Sequence, residues 1–313
     1  MNKLIYLIIL LSFFTACSKE KKTNKAAEKM QEFVINISKA AKMHNPHFIV
    51  IPQNGIELCY GQADIANGMN FQYTNAIDGV GMEELLYKGY KEAIDERLDM
   101  TRDVYKNYKS ILVSDYTETE TNYTNSVQIN EAEGFICYPR RGNNYDYAYI
   151  QPIPNGENAD DITALHMAKN YLYLISDNQF SSKSAFLDSI KNTNYDVVII
   201  DLFFKGNQLS YGDVESLKTK KNGAKRLVIS YMNIGSAEKY RYYWKDTWKV
   251  HKPAWLKKEY DGYPDEIWVE FWKSEWQEII YNNSDSYLKR VLKSGFDGVY
   301  LDNVEAYYFL YNE

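Results

Sequence analysis

The sequence predicts a (β/α)8 barrel of the α/β class, and three observations predict it. Short apolar, β-branched runs recur along the chain, helix-compatible stretches separate most of them, and several runs end on an acidic residue. The runs are His47–Ile51, Ala76–Val80, Ser110–Ser114, Tyr171–Ile175, Asp196–Ile200, Arg226–Ser230, Glu266–Val269 and Gly298–Leu301. Continuous apolar runs, in place of strict alternation, suit strands covered on both faces of a parallel sheet. Asp115, Asp201, Glu270 and Asp302 follow four of them, at the strand ends where such a barrel carries its chemistry.

The intervening elements follow in order. Residues 183–192, 213–222 and 275–293 carry helical patterns, the last through Trp276, Ile279, Ile280, Tyr287, Leu288, Val291 and Leu292. The stretch 116–169, with Pro139, Pro152 and Pro154, reads as a functional loop before a helix near 158–169. The two ends are unequal. Only residues 303–313 follow the eighth run, too few for a full covering helix, whereas Lys25 to Met43 precedes the first run. That segment places Met30, Phe33, Val34, Ile37 and Ala41 at helical spacing. Either it fills the vacant place in the ring, as in a circularly permuted barrel, or it plugs the barrel bottom. Pattern alone leaves both open. Permutation costs a barrel little, because its chain ends lie near each other.

Met1, Asn2 and Lys3 lead into the apolar run Leu4–Phe14 and then Thr15-Ala16-Cys17. A basic start, a short apolar run and small residues before a cut site make a secretory signal peptide. The run falls short of the ~20 residues a membrane-spanning helix needs. Small residues directly before Cys17 form a lipobox, with Phe14 where the commonest version has Leu. The reading is therefore a leader over residues 1–16, a lipidated polar tether over 17–24 and a single-domain body over 25–313. Such a chain is exported and held on the bacterial cell envelope, touching the membrane only through the lipid on Cys17.

Composition narrows the partners. A net charge of −6 argues against nucleic acid. Cys59 and Cys137 are far apart and read as buried thiols more than as a pair. His44, His47, His166 and His251 are scattered without metal-ligand spacing, so neither metal nor cofactor is expected. The body is expected to be monomeric. Twenty-nine Tyr and six Trp are compatible with sugar-stacking faces.

Three segments resemble glycoside hydrolase family 114: Tyr231–Trp244 (YMNIGSAEKYRYYW), Trp268–Trp276 (WVEFWKSEW) and Gly295–Tyr307 (GFDGVYLDNVEAY). Phe48–Gly55 (FIVIPQNG) and Ile77–Tyr87 (IDGVGMEELLY) resemble it too. In the family's usual order these last two follow the segment ending in Asp302; here they precede it. The resemblance thus covers nearly the whole body with its parts rotated, and it favours the permuted arrangement. It implies a TIM barrel and an endo-α-1,4-polygalactosaminidase-like glycosidase acting on an α-linked, galactosamine-containing polysaccharide or oligosaccharide.

Glycoside hydrolysis usually needs two carboxyl groups flanking the scissile bond. The family pattern, carried over by residue, puts the catalytic Asp at Asp302 and the catalytic Glu at Glu83, with adjacent Glu84 as the fallback. In a retaining reaction Asp302 is the nucleophile and Glu83 the acid/base. Asp302 capping a following helix is the simpler alternative. Asp201 is expected to hold sugar hydroxyls or an amino group, or else a structural salt bridge. Glu238 and Arg241 resemble the family's Gly-x-x-Glu-x-x-Arg stretch, and their spacing also lets them pair with each other. Tyr231, Asn54, Tyr87 and Asp115 lie at or just past strand ends as candidate subsite residues, and Trp272 is a candidate stacking face. Glu305 stands where the family commonly has Asp. A second reading keeps the barrel as a carbohydrate-binding surface lipoprotein without turnover. A third is a structural lipoprotein.

Overall fold

Eight strands lie side by side in parallel, and their order in space is not their order in the chain. A computed structural model describes the backbone of residues 2–91, 95–141, 147–151 and 153–312, and side chains outside 1–18, 89–95, 142–146, 152 and 313. In chain order the strands are β1 (Ile49–Pro52), β2 (Gly79–Lys91), β3 (Ser110–Thr117), β4 (Ile136–Cys137), β5 (Tyr171–Leu174), β6 (Val197–Asp201), β7 (Leu227–Asn233) and, after a small antiparallel sheet, β11 (Gly298–Asp302). In space they run β5-β6-β7-β11-β1-β2-β3-β4. The join between β1 and β2 is short: a parallel bridge from Gln53 to Gly81, with the Asn54 N–H donating to the Gly81 carbonyl at 2.7 Å. The two outermost strands approach each other through the rings of Tyr138 and Tyr171, whose centroids are 5.7 Å apart. The chain is thus one mixed α/β domain built on parallel sheet.

Seven of the eight expected strands take their places, within a few residues. The eighth does not. Glu266–Val269 belongs to β10 (Tyr263–Val269), which pairs antiparallel with β8 (Ser236–Glu238) and β9 (Leu256–Tyr260). Its exposed first half and buried second half show why an apolar run misleads there: Ile267, Trp268 and Val269 pack inward as one end of a hairpin. The missing parallel strand is β4, only two residues long and invisible to any pattern.

The helices show a similar mix. Lys183–Lys191 forms as expected, capped by Ser182 and burying Phe186, Leu187 and Ile190. The stretch 213–222 holds only the short helix Tyr211–Glu215. The 275–293 pattern splits into Ser274–Ile280 and Tyr287–Lys293, because Asn282, Asn283, Ser284 and Asp285 cannot compete as helix interior and Ser286 caps the second piece. Within 116–169 the helix lies early, at Glu120–Glu133, and 158–169 contains only a single turn at Leu165–Met167. The Glu120–Glu133 helix buries Ser126 and Asn130, polar residues that leave no apolar stripe to read.

The first helix runs from Asn2 to Lys42, through the expected leader and tether alike. Met30, Phe33, Val34, Ile37 and Ala41 are all fully buried along its length. It packs on the last helix, Ala306–Asn312, and the Asn312 amide donates to the Thr23 hydroxyl at 2.9 Å. The helix therefore lies beside the strand carrying Asp302. No described helix is long and apolar enough to cross a membrane. Cys17 lies in the stretch whose side chains are outside the described residues, and Glu313 is outside them too. Cys59 and Cys137 are free, buried thiols.

Candidate active site

The strand order brings the ends of β11, β1 and β2 together, and with them the two carboxyls expected to react. Asp302 ends β11, beside the end of β1. Glu83 follows Gly81 on β2, on the far side of β1. Gly81 is required by close approach: a Cβ there would sit 2.0 Å from the Tyr300 hydroxyl. The residues that turn the chain at these strand ends, Asn54, Glu84 and Asn303, all hold a left-handed φ between 52° and 61°. Non-glycine residues kept in that region cost energy and cluster at functional sites.

Each carboxyl is held by named donors. The Tyr231 hydroxyl donates to Asp302 Oδ2 at 2.5 Å, and the Asn303 N–H donates to Oδ1 at 2.7 Å. Burial pushes the Asp302 carboxyl up to about 6, against the pull of those two bonds. For Glu83, the Tyr116 hydroxyl donates to Oε1 at 3.0 Å, while its N–H donates to the Asn54 side chain at 2.9 Å. Burial first, and the Asp302 charge second, push Glu83 up to about 7. Glu84 instead pairs with Lys88 at 3.1 Å.

Two further acids surround the pair. Glu266 accepts from the Ser236 hydroxyl at 2.5 Å and the Asn233 amide at 3.1 Å, and burial pushes it up to about 8. Glu305 is pushed up to about 7, by burial and by Glu57. Pattern missed Glu266 because it had been assigned to a barrel strand. Beneath the site the interior is aromatic: Tyr171, Tyr173, Tyr231 and Tyr300 are buried, and the Tyr173 hydroxyl donates to Gln53 at 3.0 Å. The high tyrosine content supplies this interior.

The other expected residues divide. Asp201 lines a cleft of about 510 Å³ with Asp177, Lys205, Tyr240 and Tyr242, but both of its oxygens are taken by Arg241, at 2.8 and 2.7 Å. Arg241 also binds Glu238, at 2.6 and 3.0 Å, and Glu238 is fully buried. The pairing of Glu238 with Arg241 therefore exists, and it extends to Asp201. Asp115 is a correction: it is wholly buried, accepting from the Leu86 and Tyr87 N–H groups, the Ser126 hydroxyl and the Asn130 amide. It secures the segment after Glu83 and is out of a substrate's reach. Tyr87 is likewise buried, at 2% exposure, too deep for a subsite. Trp272 has the Lys29 ammonium 4.0 Å over its ring and the Phe271 edge against it, so it packs against the first helix and that face is closed to a sugar.

Comparison with known proteins covers part of the chain. An uncharacterised protein of Thermotoga maritima is 35% identical over 118 residues, 38% of this chain and 35% of its own length. One from Methanocaldococcus jannaschii is 34% identical over 154 residues, 49% of this chain and 42% of its own. One from Deinococcus radiodurans is 34% identical over 121 residues, 39% and 37% respectively. The chain thus spans less than half the length of these relatives. Residues 177–313, which hold Asp201, Tyr231, Glu238, Arg241 and Asp302 but not Glu83, match the model of glycoside-hydrolase family GH114. Over that stretch, somewhat under half of its length, the chain is similar to glycoside-hydrolase family GH114.

Proposed function

We propose that this protein hydrolyses an α-linked polysaccharide, with α-1,4-polygalactosamine the first substrate to try, through Asp302 and Glu83. The observation that carries this reading is the pair itself: two half-buried carboxyls at nearby strand ends, each displaced upward, in the order the chemistry needs. At neutral pH the Asp302 carboxyl, at about 6, is mostly ionised and able to attack the anomeric carbon. Glu83, at about 7, still holds a proton in about half the molecules to give to the leaving oxygen. In a retaining reaction Glu83 then takes the proton of the water that breaks the glycosyl–Asp302 bond. Tyr231 steadies the nucleophile, and Asn54 fixes the backbone that carries the acid. Asp201, at the cleft edge, is the group we assign to sugar contact beyond the reacting bond.

The strand order also supports reading the domain as a (β/α)8 TIM barrel in circularly permuted order, broken between the strand of Asp302 and the strand leading to Asn54. The first helix then takes the covering place after Asp302. We further propose that Cys17 is lipidated and holds the domain on the cell envelope. The test is a polysaccharide screen including α-1,4-polygalactosamine, with wild type, Asp302→Asn and Glu83→Gln. Cleavage by the wild type and its loss in both variants is expected; equal cleavage by all three removes the assignment. Binding without cleavage by the wild type would instead make this a carbohydrate-binding lipoprotein. Palmitate labelling that is lost in Cys17→Ala tests the anchor, and labelling that survives the substitution rejects it.

A further inference from the structure

Glu83 has a second set of neighbours that the two-carboxylate reaction leaves without a part. The short strand Arg140–Arg141 pairs with β3 so that Arg140 faces Tyr116 in register. The Arg140 guanidinium lies 3.8 Å over the Tyr116 ring and 3.6 Å over the Tyr147 ring. The two phenol hydroxyls are 2.9 Å apart, and the Tyr116 hydroxyl donates to Glu83 Oε1 at 3.0 Å. Arg140 is only 7% exposed, and its enclosed Nε and Nη2 have no hydrogen-bond partner among the described residues.

A buried guanidinium normally has a carboxylate on its fork, because an unpaired buried charge is costly. Arg140 has two aromatic faces instead, a weaker compensation. Its charge acts on Glu83 through space, opposing the push from Asp302. A site that keeps so costly a cation beside a carboxyl, with a tyrosine wedged between them, has a use for it.

We propose that Arg140 is a positioning residue for Glu83: clamped between Tyr116 and Tyr147, it fixes the Tyr116 hydroxyl on Oε1 and sets a positive charge behind that carboxyl. The proposal rests on the reading of Glu83 as the acid/base. As Asp302 becomes an uncharged glycosyl ester, Glu83 gives up its proton and takes over the site's negative charge, which Arg140 with the Tyr116 hydroxyl offsets. Without Arg140 the ionised form of Glu83 is less stable, so Glu83 becomes a weaker acid and the step that protonates the leaving oxygen suffers more than the water step.

The other groups facing Glu83 are Asp302, Glu84 and Glu305, the buried hydroxyls of Tyr171, Tyr173 and Tyr300, and Arg97, which donates to the Glu83 carbonyl at 2.8 Å. Of the cations among the described residues, Arg97 is engaged with the backbone, which leaves Arg140 to answer the carboxyl's charge.

The experiment is a carbon-13 NMR titration of the full chain carrying labelled glutamate carboxyls, with Glu83 assigned through Glu83→Gln. In Arg140→Met the Glu83 midpoint should rise by about one pH unit. Arg140→Lys should recover most of it. An unmoved midpoint in Arg140→Met overturns the proposal, as does a shift in Arg140→Lys as large as in Arg140→Met, which would make the effect one of packing. Should Arg140→Met fail to fold, Tyr116→Phe removes the hydroxyl alone; it too should raise the midpoint, and an unmoved one overturns the relay. The titration needs no substrate. A protein that cuts no glycan yet shows these shifts loses the proposed function and keeps this arrangement.

Discussion

Two groups of acids near strand ends have opposite characters. Asp201 and Glu238 close around Arg241, so that four short hydrogen bonds satisfy both carboxylates. Among the described residues Asp302 and Glu83 have no cation on their oxygens; they have tyrosine hydroxyls, backbone and each other. The first group holds the rim together, while the second is left with shifted proton affinities. Acids at strand ends are equivalent in sequence. What faces them decides whether they stabilise or react.

Substitutions sharpen that contrast. Glu83→Gln should lower turnover by about 10²–10⁴-fold, the scale of lost general acid–base catalysis. Asp302→Asn should cost at least as much, and reducing-end release on the cleaved glycan measures both. Arg241→Ala should act on the other group and on stability, costing ~3–5 kcal/mol by urea unfolding, since it strands two buried carboxylates. A cost under about 1 kcal/mol would mean the network does not hold the rim.

Tyr231→Phe should be milder. It removes a hydrogen bond to a charged group, worth about 1.5–3 kcal/mol, and lifts the Asp302 carboxyl further. The acidic limb of the kcat/KM profile should then move to higher pH; an unmoved limb separates Tyr231 from the nucleophile.

Stability itself should depend on pH in one direction. Asp302, Glu83, Glu305 and Glu266 are raised to about 6, 7, 7 and 8 in the fold, against roughly 4 in the unfolded chain. The folded state therefore holds more protons between about pH 4 and 8, and stability falls as pH rises through that window. The thermal midpoint should drop from mildly acidic to mildly alkaline pH, and Glu266→Gln should flatten the drop. The smallest effect is expected from Glu84→Gln, which removes a half-exposed pair with Lys88 worth at most about 1 kcal/mol and should leave activity intact.

Much of this arrangement is legible in the chain. The seven correct strands announce themselves because burial on both faces demands unbroken apolar runs, and Asp302 and Asp201 follow such runs directly. Trp268 and Ile267 are equally apolar for another reason, packing at the end of a hairpin, so the same signal misassigned Glu266. The Glu120–Glu133 helix was unreadable because its buried face is Ser126 and Asn130, devoted to Asp115. Arg140 and Tyr116 carry no motif at all; their meeting depends on a register between two short strand segments.

Local sequence determined most of the parallel strands, a few of the helix starts and the acids at strand ends, because apolar periodicity and capping act over a few residues. The resemblance added that Glu83 and Asp302 belong together although more than two hundred residues separate them. Only the tertiary structure decided which acids stay unpaired. Arg241 reaches Asp201 across forty residues, and Arg140 reaches Tyr116 across a strand pair, while Asp302 and Glu83 are left to each other. Charge acts through space and burial, and neither distance nor burial is written in the order of the chain.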